Sequence, residues 1–298
     1  MDEQIRNNAV FKKQNGYILV AYHKPAPMLE DSFIVPVCAG KACAKPRKGE
    51  ENASADHPAW WAGMVGDDTG DNISARNGEL NECTVLYWAW KNLRFQDFKY
   101  VGMFQYRRQL ILDDTLYEKS PENLEKKAYK CVHFAKLGPD FSRKIGLSDA
   151  AIAKLLEEYD CILPYSSDLA ALGIASPYED WCRRIPGVHV NDLVMLEQQM
   201  KRIHPEMAEA FSKYLNSPRK RMYEIFIARP DVASEYCAFL FDVIFKIDPL
   251  IDPSLYSVNG KRTLGYLAEI LYGFYFTYMA QQGRLHIKEC GVSFIDNA

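Results

Sequence analysis

Two adjacent arginines, Arg107 and Arg108, close the stretch YVGMFQYRR at residues 100–108. A guanidinium is a planar fork suited to bidentate contact with phosphate or carboxylate. Neighbouring side chains on a strand point to opposite faces, so at least one arginine needs a partner. Two readings stand side by side: diphosphate binding, or a salt bridge to a nearby Asp or Glu. His23 and Lys24 form a second basic pair after an apolar run, where they would touch a nucleotide. A lone histidine is more often a structural hydrogen-bonding group.

The acidic residues raise a metal question. Asp67, Asp68 and Asp71 fall within VGDDTGDNISARN at 65–77. An EF-hand needs oxygen ligands at alternate positions, a glycine at the sixth and a distant glutamate. Counting from Asp67, the third residue is Thr69 and the sixth is Asn72, so that pattern fails. The residues before Asp67, WWAGMVG, make a poor strand. Asp113 and Asp114 in LILDDT are a better strand-end pair. Solvated turns are the bland reading of both groups, although the density of Gly, Asp and Asn at 65–77 suggests a shaped loop.

Several chemistries are excluded. The 8 cysteines include no C-x-x-C pair, which argues against structural zinc and for reduced, mostly buried thiols. No G-x-G-x-x-G, P-loop, G-x-S-x-G or HExxH is present, which argues against dinucleotide enzymes, P-loop kinases, common hydrolases and zincins. A formal charge of −3 gives no global argument for nucleic acid. The polar start, MDEQIRNNAVFKK, is not a signal peptide, and the longest apolar stretch, 264–280, is short for a membrane span. A cytoplasmic protein is expected.

The elements that must position these residues follow from periodicity. Tyr17 to Ala21 reads as a buried strand, 33–40 as a second short apolar run, and 41–63 as a surface excursion. Leu80, Cys83, Tyr87 and Trp90 recur at helical spacing; Asn77 is placed to cap that helix, with Glu79 and Glu82 at its positive end. Tyr100 to Phe104 is a central strand, and 113–147 is loop-rich. Residues 148–160 are a serine-capped helix and 159–165 a strand. Residues 189–215 are two helices broken near Pro205. A strand at 223–230 precedes helices at 233–247 and 262–283. Alternating strands and helices predict one α/β domain with a mostly parallel sheet, whose ligand sits beyond the C-terminal strand ends.

In this order, VAYHKP, DDTGDNISARN, NECTVLYWAWKN, YVGMFQYRR, YDCILP, IFIARPDVASEYCAFLFDVI and RTLGYLAE resemble a bacterial glycosyltransferase family of capsular and exopolysaccharide synthesis, long filed as a domain of unknown function. The resemblance runs from about residue 17 to about 280. It implies a GT-A-like nucleotide-binding sheet flanked by helices, with a nucleotide-sugar-binding part at 16–165 and a mostly helical acceptor-side part at 166–298. It implies hexosyl transfer from a nucleotide donor, commonly a UDP-sugar, to a glycan or lipid-linked acceptor, with peripheral contact at the inner face of the membrane. The basic stretch 217–223 and the aromatic helix 264–280 are the candidates for that contact. A core helix and a solvated turn are their bland readings.

On this resemblance, Arg107 and Arg108 neutralise the leaving diphosphate without a metal. A weaker alternative keeps Mn or Mg on Asp67, Asp68 or Asp71. His23 and Lys24 sit near the nucleotide, and Asp68, Asn72 and Asn77 shape the substrate loop. An inverting transfer needs a carboxylate to take the acceptor proton, and Asp192 and Glu269 are the candidates. The bland reading of Asp192 is a charge at a helix N-terminus; that of Glu269 is an ion pair, with Arg262 as partner. Three positions depart from the family pattern: Gln105 replaces His, Glu224 replaces Asn and Ile270 replaces Arg. They keep a rival open, a non-catalytic sugar- or nucleotide-binding subunit of a polysaccharide-synthesis complex.

Overall fold

The computed structural model of the protein describes residues 15–45, 59–118 and 130–296. The polar start and parts of the two loop-rich stretches lie outside the described residues.

The first half supplies β1 (Gly16–Tyr22), β2 (Ile34–Cys38), β3 (Val65–Gly66), α1 (Asn77–Leu80), α2 (Cys83–Asn92), β4 (Tyr100–Gln105), β5 (Arg108–Ile111), β6 (Cys131–Phe134), α3 (Asp149–Leu155) and β7 (Cys161–Pro164). The second half supplies β8 (Ser167–Asp168), α4 (Pro177–Arg184), α5 (Val190–Ile203), α6 (Ala208–Leu215), β9 (Arg219–Lys220), β10 (Phe226–Ala228), α7 (Pro230–Ile247), α8 (Thr263–Gln281) and β11 (Ile287–Ile295). Single-turn segments join them.

β1 is the centre of the parallel part, pairing with β2 on one side and β4 on the other. β3 extends this part beyond β2. β10 runs antiparallel between β4 and β7, so the sheet is mixed. Strand pleating sends alternate β1 residues to opposite faces. Tyr17, Leu19 and Ala21 join a core with α2, α5, α7 and α8. Ile18, Val20 and Tyr22 join a second core with β5, β6 and Ile152 of α3. A sheet covered on both faces explains why its strands read as continuous apolar runs.

β11 carries no element in the sequence reading, yet it is a hub of the sheet. Its first half pairs with β7, and its second half lies between β5 and β6. Its sequence, IKECGVSFI, alternates too weakly to announce a strand; tertiary pairing decides it. The C-terminal portion therefore returns to the sheet after its helices. The aromatic helix 264–280 is the middle of α8, and it is buried nearly all round, as a core helix is. No helix among the described residues is long and apolar enough to cross a membrane.

The acidic loop is a hydrogen-bonded knot that fixes the start of α1. Asp67 is fully buried. One of its oxygens accepts from the Gly40 N–H at 2.9 Å; the other accepts from the Lys41 N–H at 3.0 Å and the Ser74 hydroxyl at 2.5 Å. Asp71 accepts from the Tyr87 hydroxyl at 3.1 Å, and Asn92 bonds the Asp71 backbone through both N–H and C=O. Gly70 has φ +58°, and a Cβ there would collide with the Asn92 side chain, so the loop needs glycine. Trp88 and Thr69 complete the knot at 2.9 Å. The aromatic run of α2 thus anchors the loop as well as the core. Asp67→Ala would strand two backbone N–H groups and a hydroxyl away from water. The expected loss is about 3 kcal/mol of unfolding free energy, read by urea denaturation; a loss under about 0.5 kcal/mol contradicts the knot.

Candidate functional site

A cleft of about 730 Å³ opens where the parallel strands end. Ala21 at the end of β1, Ala39 just after β2 and Gln105 at the end of β4 form its floor. This is the position expected for a ligand in an open α/β sheet. The α1–α2 junction, the start of α8, the end of α4 and the segment leading into β10 form its walls.

Strained backbone gathers here. Asn81, Tyr223 and Glu224 have φ of 52°, 78° and 48°, and all three line the cleft. Such conformations cost about 1–3 kcal/mol each and persist only where the surroundings enforce them. At Tyr223 the enforcement is visible. Its N–H donates to Glu269 at 2.9 Å, and its C=O accepts from Gln105 Nε2 at 2.8 Å. The predicted strand 223–230 therefore shortens to β10, because two left-handed residues cannot join a ladder. At Asn81 the predicted helix breaks into α1 and α2. Asn77 does not cap its start; its amide donates to the Asn81 C=O at 2.6 Å and to Thr84 at 3.1 Å. A Cβ at position 265 would collide with the Asn81 amide, so α8 needs Gly265 to pass this closely.

Four carboxyl groups face the cleft: Glu82, Asp180, Glu224 and Glu269. Lys220, 2 % exposed, lies 2.9 Å from Asp180 and 3.3 Å from Glu269. Burial alone would lower the Lys220 ammonium, but Glu269 and Asp180 outweigh it and hold the group above its ordinary value. The partner of Glu269 is thus Lys220. Arg262 turns instead to Asn81 Oδ1 at 2.6 Å. Glu224 is 3 % exposed with no cation on it among the described residues. It accepts from the Tyr236 hydroxyl at 3.0 Å, and the Cys83 thiol lies 3.5 Å from both its oxygens. Burial, with Glu82 next, drives the Glu224 carboxyl well above its usual range.

Two further cations, Arg107 and Arg108, come from the turn after β4. The chain turns at Tyr106-Arg107, so Arg107 sits in a turn and Arg108 opens β5. Arg107 donates to the carbonyls of Ile295 at 2.9 Å and Asp296 at 3.3 Å, which ties the turn to β11. Neither arginine is taken up by a carboxylate among the described residues. Arg108 lies against Tyr223 and Phe294 and donates from one terminal nitrogen to Gln105 Oε1 at 2.6 Å. Its buried Nε has no hydrogen-bond partner among the described residues. Gln105 also donates to Glu82, so one amide links Arg108, Glu82 and Tyr223. His23 lines the same cleft against Tyr106; partial burial, then Arg262 and Lys24, hold its imidazolium below the ordinary value.

The structure brings together His23, Asn77, Gln105, Arg107, Arg108, Glu224 and Glu269 from the residues read as functional. Lys24 lines a smaller neighbouring recess with His23. Asp68 and Asn72 are not in the cleft lining: Asp68 lies 3.8 Å from Lys41, and Asn72 brackets the loop backbone at Gly70 and Ser74. Asp192 is fully buried outside the lining. It accepts from Thr263 at 2.8 Å, Tyr256 at 2.5 Å and the His189 N–H at 3.1 Å. That is the helix N-terminal role. Ile270 is core. In the basic stretch 217–223 Arg219 is exposed, but Lys220 is ion-paired as above, and Arg221, 5 % exposed, meets Glu289 at 2.7 Å. No group of three or more His, Cys, Asp or Glu is gathered for a metal among the described residues. Of the loop aspartates, Asp67 is taken up by three donors and fits Mn or Mg poorly.

Sequence reading missed Asn81, Asp180, Arg184, Lys220 and Tyr223 as cleft residues, and took Glu82 only for a helix-end charge. Nothing in local sequence marks them. Asn81 and Tyr223 matter through backbone conformation, and Asp180, Lys220 and Glu82 through partners on other elements.

Fold and cleft together define an α/β protein with a polar, charge-lined pocket at its strand ends. The chain belongs to the family described as a domain of unknown function, DUF4422, whose model matches residues 17–281. A solved structure similar to it is the WbbM bifunctional glycosyltransferase in its apo form, at 26% identity and a TM-score of 0.80 over 94% of this chain. This chain covers 45% of that protein. No curated protein matches it.

Glu224 generates a stability prediction. Its folded-state pKa is raised, so the folded protein holds a proton that the unfolded chain releases near 4.5. The stabilisation is full below that value and is lost as pH rises toward the folded pKa. Glu224→Gln should remove this slope and raise the urea midpoint at pH 7–8 relative to wild type. Parallel wild-type and variant curves across pH 4.5–8 would contradict it.

Proposed function

We propose that this chain is a GT-A-like glycosyltransferase. In this reading it transfers a hexosyl group from a nucleotide donor, a UDP-sugar first among the candidates, to a glycan or lipid-linked acceptor in bacterial surface polysaccharide synthesis, on the cytoplasmic side. The observation that carries the reading is the likeness to a glycosyltransferase along 94% of the chain, with a charged cleft at the strand ends.

The cleft chemistry suits the donor. Arg108, partly desolvated and with unused donor capacity, meets the diphosphate, and Arg262 faces it from α8. Such preorganised cations stabilise charge that develops on a leaving group. Arg107 acts at the rim, because its guanidinium already holds the last strand. His23 and Lys24 border the nucleotide, and Asn77 with Gln105 and Glu224 shapes the sugar pocket. Of the two carboxylates read as bases, Glu269 faces the cleft and Asp192 does not.

The rival, a non-catalytic binding subunit, drew support from Gln105, Glu224 and Ile270. Two of these departures are built into the site: Gln105 bonds three groups, and Glu224 is held by Tyr236. The start of α8 and the end of the 217–223 stretch line the cleft, so an acceptor bound there would meet them.

Purified protein should hydrolyse or transfer at least one of UDP-glucose, UDP-galactose, UDP-N-acetylglucosamine and GDP-mannose, followed by release of the nucleoside diphosphate. Arg108→Ala should lower kcat/KM by about 10²–10³-fold. Chelation with EDTA should leave the rate within about twofold. Loss of activity restored by Mn would overturn the metal-free role of the arginines, and binding of a donor without any turnover would favour the rival.

A further inference from the structure

Of the four carboxyl groups in the cleft, three are unfit to take a proton from an acceptor. Asp180 is 1 % exposed and clamped between Lys220 at 2.9 Å and Arg184 at 3.0 Å. Glu269 has one oxygen on Lys220 and the other on the Tyr223 N–H, so both basic sites are occupied. Glu224 is sealed beneath Tyr236 and Cys83.

Glu82 differs on each count. It is half-buried and lines the cleft directly. No cation pairs with it among the described residues. Its one side-chain partner there is the neutral Gln105 amide, on Oε1. Its position is imposed by strain: Asn81, at φ 52° and ψ −138°, breaks the helix immediately before it. Arg262 pins that break through Asn81 Oδ1 at 2.6 Å, and Gly265 lets α8 approach. The same Gln105 amide that holds Oε1 also holds Arg108. One side chain therefore sets the distance between a carboxylate and the cation assigned to the leaving group.

We propose that Glu82 is the catalytic base that accepts the proton of the acceptor hydroxyl. This rests on the glycosyltransferase reading above. As the acceptor O–H proton moves to Glu82 Oε2, the oxygen lone pair forms a bond to the anomeric carbon. The bond from that carbon to the donor phosphate oxygen breaks, and its electron pair leaves on the nucleoside diphosphate beside Arg108. The product is inverted at the anomeric carbon. Burial raises the Glu82 carboxyl above its ordinary range, and Glu269 adds to this, while its own N–H, Arg108 and Arg262 oppose it. Glu224 faces it from the segment before β10, and the charge of Glu82 adds to the rise at Glu224. A carboxylate poised upward is a better base near neutral pH.

The test compares wild type with Glu82→Gln, which keeps an acceptor oxygen for Gln105, and with Glu82→Asp. The readouts are turnover of the active nucleotide sugar from the panel above, its pH profile, and UDP and GDP binding by calorimetry. Glu82→Gln should bind the nucleoside diphosphate within threefold of wild type and turn over about 10²–10⁴-fold more slowly. It should lose the acidic limb of the wild-type profile, and Glu82→Asp should restore part of the rate. Turnover by Glu82→Gln within threefold of wild type, or an unchanged acidic limb, overturns the proposal and leaves the glycosyltransferase reading intact. Loss of nucleotide binding along with turnover makes Glu82 a strut and also overturns it. A folded wild type that binds neither UDP nor GDP and turns over no donor overturns both.

Discussion

The backbone of one residue, Tyr223, holds the cleft in shape. Its N–H is fixed by Glu269 and its C=O by Gln105, and between them the chain is forced into a left-handed conformation. Each of those partners is anchored in turn. Glu269 is tied to Lys220, and through it to Asp180 on α4. Gln105 ends the central strand β4 and reaches Glu82 and Arg108. Helix α8 and the end of strand β4 are thus bridged by the backbone of a single residue. Loss of either hydrogen bond would let Tyr223 and Glu224 relax toward an ordinary extended strand, which would withdraw Glu224 from its buried seat.

The charges in the cleft are not all matched. Lys220 and Asp180 form a buried pair, and each has a second partner of opposite charge, Glu269 on Lys220 and Arg184 on Asp180. Arg108 and Arg262 have no carboxylate on them among the described residues, and Glu82 has a neutral amide where Asp180 has two cations. The cleft thus holds charges that are matched within the fold beside charges that are not. The raised Glu224 and Glu82 carboxyls follow from the same arrangement, since three acidic groups share a poorly hydrated space with few cations close enough to neutralise them.

The fold was legible in the sequence where burial is regular. Tyr17 to Ala21 and Tyr100 to Phe104 are read as strands because both faces are covered. Helices at 233–247 and 262–283 are read from their apolar residues, and observed as α7 and α8 within two or three residues. The acidic loop reads as shaped from its Gly, Asp and Asn, and the hydrogen bonds on Asp67 and Asp71 are what shape it. The site was less legible. Asp192 was an attractive carboxylate at the start of a helix, but Thr263 and Tyr256 come from distant sequence to saturate it. The 217–223 stretch looked like a basic turn for solvent or membrane, and its Lys220 and Arg221 are buried. β11 was missed because its sequence alternates weakly and its place depends on β5, β6 and β7 being there first.

By itself the sequence determined the layered α/β plan, the apolar strands whose ends make a pocket, and the presence of paired arginines at one of those ends. These follow from local periodicity and residue chemistry, which need no partner to be read. Tertiary structure alone decided which acids and cations meet, and which of them remain unpaired. It placed Lys220 on Glu269 in place of Arg262, removed Asp192 from the cleft, and broke the predicted helix at Asn81 so that Glu82 faces the pocket. A carboxylate's role depends on its nearest donors and its access to water, and both are set by residues far away in the chain.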